Sequence, residues 1–83
     1  MNNPPTLRQM QYLSALHKTL NFRKAAELCH VTQPTLSAAI KEMEGLLGLP
    51  VIDRSRPKNI IFTPFGEEVI ATVQKITPHI EAL

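Results

Sequence analysis

The sequence holds one cysteine, Cys29, and no tryptophan. A single thiol excludes an internal disulfide, and with it the stapled secreted domains whose cores are too small to stand alone. It also leaves no paired Cys or Cys/His set for a structural zinc. Long apolar runs are missing too. No stretch approaches the ~20 apolar residues of a bilayer span, and the N-terminal residues do not join a charged start to an apolar run. The expectation is a soluble cytoplasmic chain without membrane association. Its 83 residues are also few for an enzyme scaffold. A chain of this size buries only about 60–65% of the surface its unfolded form exposes, so its core is marginal unless a second copy adds burial.

What is present is an ordinary globular balance, 43% hydrophobic and 19% charged. The net charge of +2 is modest but unevenly spread. Most bases (Arg8, Lys18, Arg23, Lys24, Lys41, Arg54, Arg56 and Lys58) precede residue 66, whereas Glu67, Glu68 and Glu81 outnumber Lys75 after it. A basic body is thus followed by an acidic tail.

Residues 1–5 (MNNPP, counted to Pro5) form a polar, proline-rich lead with nothing to pack. Thr6 with Gln9 is a capping-box signature and opens a first helix, whose Leu7, Met10, Tyr12, Leu13, Leu16 and Leu20 cover an arc wide enough for two partners. Asn21 is a good N-cap for a short second helix, with Phe22, Ala25, Ala26 and Cys29 as its stripe. Thr32 caps a third, in which Pro34 is tolerated because first-turn amides have no intrahelical acceptor to lose. Leu36, Ile40, Met43 and Leu47 form its buried side, and Gly48 with Pro50 stops it.

From residue 51 to 63 the period changes to an apolar pair, a basic stretch with Pro57 and Asn59, then Ile60, Ile61 and Phe62, which predicts two short strands joined by a turn. Thr63 and Pro64 open a last helix over 64–83, which should kink or fray at Pro78 for want of an amide donor. The fold predicted is mainly α: a winged helix-turn-helix domain over 6–63, with the helix-turn-helix at about 22–41, a two-stranded wing at 51–63, and a long C-terminal dimerisation helix.

On a helical wheel Pro34, Ala38, Lys41 and Gly45 lie opposite the buried stripe of the third helix, with Thr35 and Ser37 on the flanks. A ridge of small residues with one cation suits a helix that sinks into a major groove; the plain alternative is a solvated face. Gln33 leans toward the core side of the wheel, but from the first turn its amide could pair with adenine N6 and N7. Thr32, Thr35 and Ser37 offer hydroxyls, and the helix N-terminus favours a phosphate. Arg23 and Lys24 in the second helix, and Arg54, Arg56 and Lys58 in the wing, flank it as phosphate neutralisers, and a wing arginine could enter a minor groove. Arg8, Lys18 and Lys75 read as solvated charges.

The run from Phe22 to Ser37 (FRKAAELCHVTQPTLS), with Gly48 and Phe62-Thr63-Pro64-Phe65-Gly66, resembles the LysR-type bacterial transcriptional regulators over roughly residues 6–75. Within that family the stretch CHVTQPTLS is most similar to the peroxide-sensing OxyR branch. The resemblance implies a domain that binds double-stranded DNA through the third helix and wing and forms a homodimer through the last helix. It also implies an effector-binding domain downstream, outside this sequence. It maps Gln33, Pro34, Thr35 and Ser37 onto the recognition-helix contacts and Arg54 onto the arginine closing the first wing strand. Two positions depart from the pattern. Ala38 stands where many members carry arginine, and the wing from Arg54 to Thr63 is a residue longer, which leaves open whether Arg56 or Lys58 takes the minor-groove role.

In the last helix Val69, Val73, Ile76 and Ile80 are spaced as a coiled-coil seam, with Ile70 and Thr77 widening it. With Tyr12 of the first helix they make more apolar surface than one small domain covers, so a twofold dimer is expected, with half-sites about 34 Å apart or a multiple of that.

No residue set points to catalysis, a cofactor or a metal. Cys29 reads as a core thiol, and His17, His30 and His79 lack metal-ligand spacing. His30 fits the turn, where histidine tolerates a left-handed backbone better than branched residues do. Glu42 with Glu44, and Glu67 with Glu68, diverge on a helix and cannot act as acid/base pairs. Two rivals to DNA binding are a winged-helix protein-interaction module, using the face from Pro34 to Lys41, and a thiol enzyme using Cys29 and His30.

Overall fold

The computed structural model describes residues 5–56 and 58–81, the side chains of residues 77–81 excepted. Among the described residues there are four helices: α1 (Leu7–Thr19), α2 (Phe22–Leu28), α3 (Gln33–Leu47) and α4 (Pro64–Glu81). The lead up to residue 4, Pro57 and the side chain of Ile80 lie outside the described residues.

Each helix starts where local capping chemistry puts it. Thr6 and Gln9 make both bonds of a capping box: the Gln9 amide donates to Thr6 Oγ1 (3.1 Å), and Gln9 Oε1 accepts from the Thr6 amide (2.9 Å). Asn21 Oδ1 accepts from the Lys24 amide at 2.9 Å, and Thr32 Oγ1 from the Thr35 amide at 3.3 Å. Thr63 Oγ1 accepts from the Gly66 amide and donates to the Pro50 carbonyl, each at 2.8 Å, so it caps α4 and pins the preceding loop.

The turn between α2 and α3 is a complete Schellman closure. The His30 amide donates to Glu27 O (3.2 Å) and the Val31 amide to Ala26 O (3.0 Å), with His30 left-handed at φ 58° as expected for the turn. Gly48, at φ 85°, ends α3. Leu20 ends α1 in the same left-handed region (φ 52°), a conformation its sequence does not announce.

α1 is the hub: it packs on α2, α3 and α4, and α2 packs on α3. Leu13 and Leu16 of α1 meet Leu36 and Ile40 of α3, all four at 0% exposure; each such side chain contributes about 1.5–3 kcal/mol. Ala25 and Ala26 let α2 sit close, and Val51, Ile52 and Phe62 close the far end.

Two expectations are refined by the structure. The wing is not a pair of strands among the described residues: it holds one antiparallel bridge, Ile52 with Phe62, bounded by Asp53 N–H to Ile61 O (2.8 Å) and Thr63 N–H to Val51 O (3.0 Å). The ladder stops there because the chain turns at once. Asp53 Oδ1 accepts from the Ser55 amide (3.0 Å) and hydroxyl (2.6 Å), and the Asn59 amide closes back on Arg56 O.

The other concerns the surface expected to dimerise. Tyr12, Ile70 and Val73 are at 5%, 2% and 4% exposure inside the chain's own core, while Val69 is half-buried and Ile76 is 39% exposed. The inner part of the seam is therefore filled by α1. α4 itself stays helical to Glu81, beyond Pro78.

The Asp53 turn is sensitive to acid. Hydrogen bonds from the Ser55 hydroxyl and amide, with the Arg56 charge nearby, hold the Asp53 carboxyl below its ordinary value of 3.8. The carboxylate supports the folded turn above the unfolded value, and that support is lost as pH falls through the lowered one. The Ser55 amide proton shift is expected to titrate with a midpoint below 3.8; a midpoint at or above it would contradict the turn.

Candidate nucleic-acid interface

α3 carries its apolar side inward and leaves the opposite ridge open. Leu36, Ile40 and Met43 are buried, whereas Pro34, Ala38, Lys41 and Gly45 are all exposed. A methyl group built on Gly45 would meet no atom within 4 Å. Gln33, despite its wheel angle, is exposed, because a first-turn side chain clears the end of the helix.

Thr32 and Thr35 are exposed, and Ser37 is half-buried. The Thr32 hydroxyl donates to Thr35 Oγ1 at 2.8 Å, so its proton is engaged. The Thr35 proton is left for an outside acceptor near the Gln33 amide, since Pro34 has no N–H and the Thr35 amide is capped by Thr32.

Arg23 and Lys24 are exposed on α2; Arg23 reaches Glu27 at 3.9 Å, an exposed pair of little energetic weight. A shallow cavity of about 200 Å³, lined by Phe22, Ile52, Ile60 and Arg56 among others, places the start of α2 beside the wing root. Arg54 and Arg56 of the wing therefore border the same cavity as the first residue of α2. Arg56 and Lys58 are both exposed.

Arg54 is already engaged. Its Nη1 lies 2.8 Å from Glu44 Oε1 and donates to Oε2 at 2.9 Å. Glu44 Oε2 also accepts from the Val51 amide (2.7 Å) and the Ile52 amide (3.3 Å), and the Glu44 side chain is only 11% exposed. One carboxylate at the end of α3 thus gathers the wing root. Sequence reasoning missed this role, setting Glu44 beside Glu42 only as a pair that cannot act as acid and base. Glu42 itself accepts from Gln9 Nε2 at 3.2 Å, which extends the α1 cap onto α3. A further tie joins α1 to α4: His17 Nε2 lies 3.1 Å from Glu67 Oε1, and its ring stands edge-on to Phe62.

Cys29 is the C-cap of α2 and only half-buried, packed against the core rather than sealed within it. Burial still raises its thiol above the ordinary cysteine value. Alkylation of the folded chain at neutral pH is expected to run several-fold slower than that of the urea-unfolded chain; equal rates would contradict this environment. Among the described residues, no cluster of three or more His, Cys, Asp or Glu could hold a metal, and no helix is long and apolar enough to cross a membrane.

A short α2, a four-residue closure and an α3 with an open outer ridge define a helix-turn-helix domain. Residues 7–67 match the family described as bacterial regulatory helix-turn-helix protein, lysR family, and the chain belongs to it. It is 49% identical over 67 residues to the transcriptional regulator EstR of Acinetobacter baylyi, covering 81% of this chain and 22% of that protein. Full-length OxyR from Pseudomonas aeruginosa superposes with TM-score 0.85 at 36% identity, covering 93% of this chain and 26% of that one. Vibrio fischeri DarR, solved in complex with DNA, superposes with TM-score 0.81 at 34% identity, over 99% of this chain and 27% of that one. The chain spans about a quarter of the length of the relatives it matches.

Proposed function

We propose that this chain is the DNA-binding part of a longer bacterial transcriptional regulator, with α3 in the major groove and the 51–63 segment acting as a wing on the backbone or an adjoining minor groove. The observation that carries the reading is the outer ridge of α3. Pro34, Ala38 and Gly45 are small and exposed, and Lys41 is the one cation among them. Bulkier side chains there would hold the helix away from base edges. That the similar DarR was solved in complex with DNA supports a DNA-binding reading.

Gln33 is the base reader, and Pro34 and Thr35 meet thymine methyl groups or backbone. Thr32, Thr35, Ser37, Arg23, Lys24 and Lys41 position the duplex. In the wing, Arg56 and Lys58 approach the flanking strand, and Arg54 keeps its outer N–H groups for a phosphate while Glu44 holds the rest. Two copies pair through the outer side of α4, along Val69 and Ile76, to present two recognition helices. Ile70 and Val73, buried, fasten α4 to its own chain.

Selection of bound duplexes from random DNA tests the reading. It should return two related half-sites spaced by about 34 Å or a multiple. Affinity should fall with salt at a log-log slope near −0.9 per neutralised phosphate. Gln33→Ala is expected to cost about 1–3 kcal/mol on the selected site and to relax discrimination at one base pair. An equal loss on every sequence would make Gln33 a positioning contact, and a flat salt dependence would favour a protein-binding module.

A further inference from the structure

A cavity of about 510 Å³ lies between α1 and the α2–α3 turn, away from the ridge of α3. Its floor is Tyr12 and Ala15, both buried; its wall includes Leu28, 55% exposed, and half-buried Val31. Arg8 and Lys18 are exposed at its rim, His30 joins them, and no carboxylate lines it. The acid nearest in sequence, Glu27, is turned toward Arg23.

Arg8 and Lys18 both line the groove from α1, ten residues and so about 15 Å apart, with Gln11 and Ser14 at the surface between them and the apolar part supplied by Leu28 and Val31 opposite and by Tyr12 and Ala15 beneath. A phosphate track needs no leucine held half out in water. An amphipathic helix with acidic ends does: its apolar face covers Tyr12 and Leu28 while its carboxylates reach the two cations.

We infer that this groove docks an acidic amphipathic helical segment of a partner protein, with Arg8 and Lys18 as its charge anchors and Leu28 and Tyr12 as its apolar seat. The site is separate from the DNA-reading surface and is tested without DNA, so its failure and the failure of the DNA reading are distinguishable.

The probe is a synthetic helical peptide of about four turns, with a leucine stripe between glutamates. Added to the 83-residue chain, it is expected to bind saturably and to shift the amides of Gln11, Ser14, Leu28 and Val31. Arg8→Glu with Lys18→Glu should weaken it about tenfold or more, as charge reversal at a complementary rim does. Leu28→Ser should weaken it with melting unchanged, and Arg8→Lys should retain it. No saturable binding, or equal binding of the same peptide with lysines for its glutamates, would overturn the inference. So would a double reversal that weakens random duplex DNA as much as loss of Arg23 and Lys24 does while sparing the peptide, since the groove would then be a phosphate track.

Discussion

Glu44→Ala is expected to lower stability by about 2–4 kcal/mol, a large share of what a domain of this size commands. The reason is the number of donors on one side chain. The Val51 and Ile52 amides belong to residues at 0% and 4% exposure, and without the carboxylate they have no replacement acceptor. Each such loss costs about 1–3 kcal/mol. The Arg54 share is smaller, because its side chain is 42% exposed and water screens the pair. Glu44→Gln, which keeps an acceptor for the amides, should lose about half as much, and Arg54→Ala less than about 1 kcal/mol. Thermal melting by circular dichroism checks the order, with a drop of at least about 10 °C for Glu44→Ala. A shift near zero would mean that the wing root is held by something else.

Gly66→Ala is expected to destabilise by about 1–3 kcal/mol or more, although alanine is the better helix former by about 1 kcal/mol. A Cβ at this position would fall on the carbonyl oxygen of Val51, which already accepts the Thr63 amide. Neither partner is a flexible side-chain end, so the start of α4 and the wing root would have to part. Gly45→Ala makes the control, since a methyl there meets nothing within 4 Å. It should stabilise by about 0.5–1 kcal/mol, the usual gain when a helix-interior glycine is replaced without a clash. Opposite signs in urea titrations would establish the close approach at Gly66; stabilisation by both would refute it.

The helix starts were legible because capping is local: Thr6 with Gln9, Asn21, Thr32 and Thr63 each act within three residues. The ridge of α3 was legible for a related reason, since the 3.6-residue period alone separates Leu36 and Ile40 from Ala38 and Lys41. The wing was over-read. The apolar pair Val51-Ile52 looks like a strand, but its amides go to Glu44, thus to a side chain on another element. In α4, a four-three-four spacing marks an apolar stripe without saying which helix covers it, and at Ile70 and Val73 the cover lies within the chain. The groove beside Leu28 joins residues of α1 to residues of the turn, a pairing no sequence pattern records.

The Glu44 clasp has a mechanical corollary. Because one carboxylate grips the arginine and two backbone amides of the hairpin arm from the end of the reading helix, those two parts travel as a single caliper whose jaw width is fixed at folding. In the dimer proposed above, fitting to an operator of slightly different pitch would fall to the joint between calipers, with little ordering penalty left for the moment of docking.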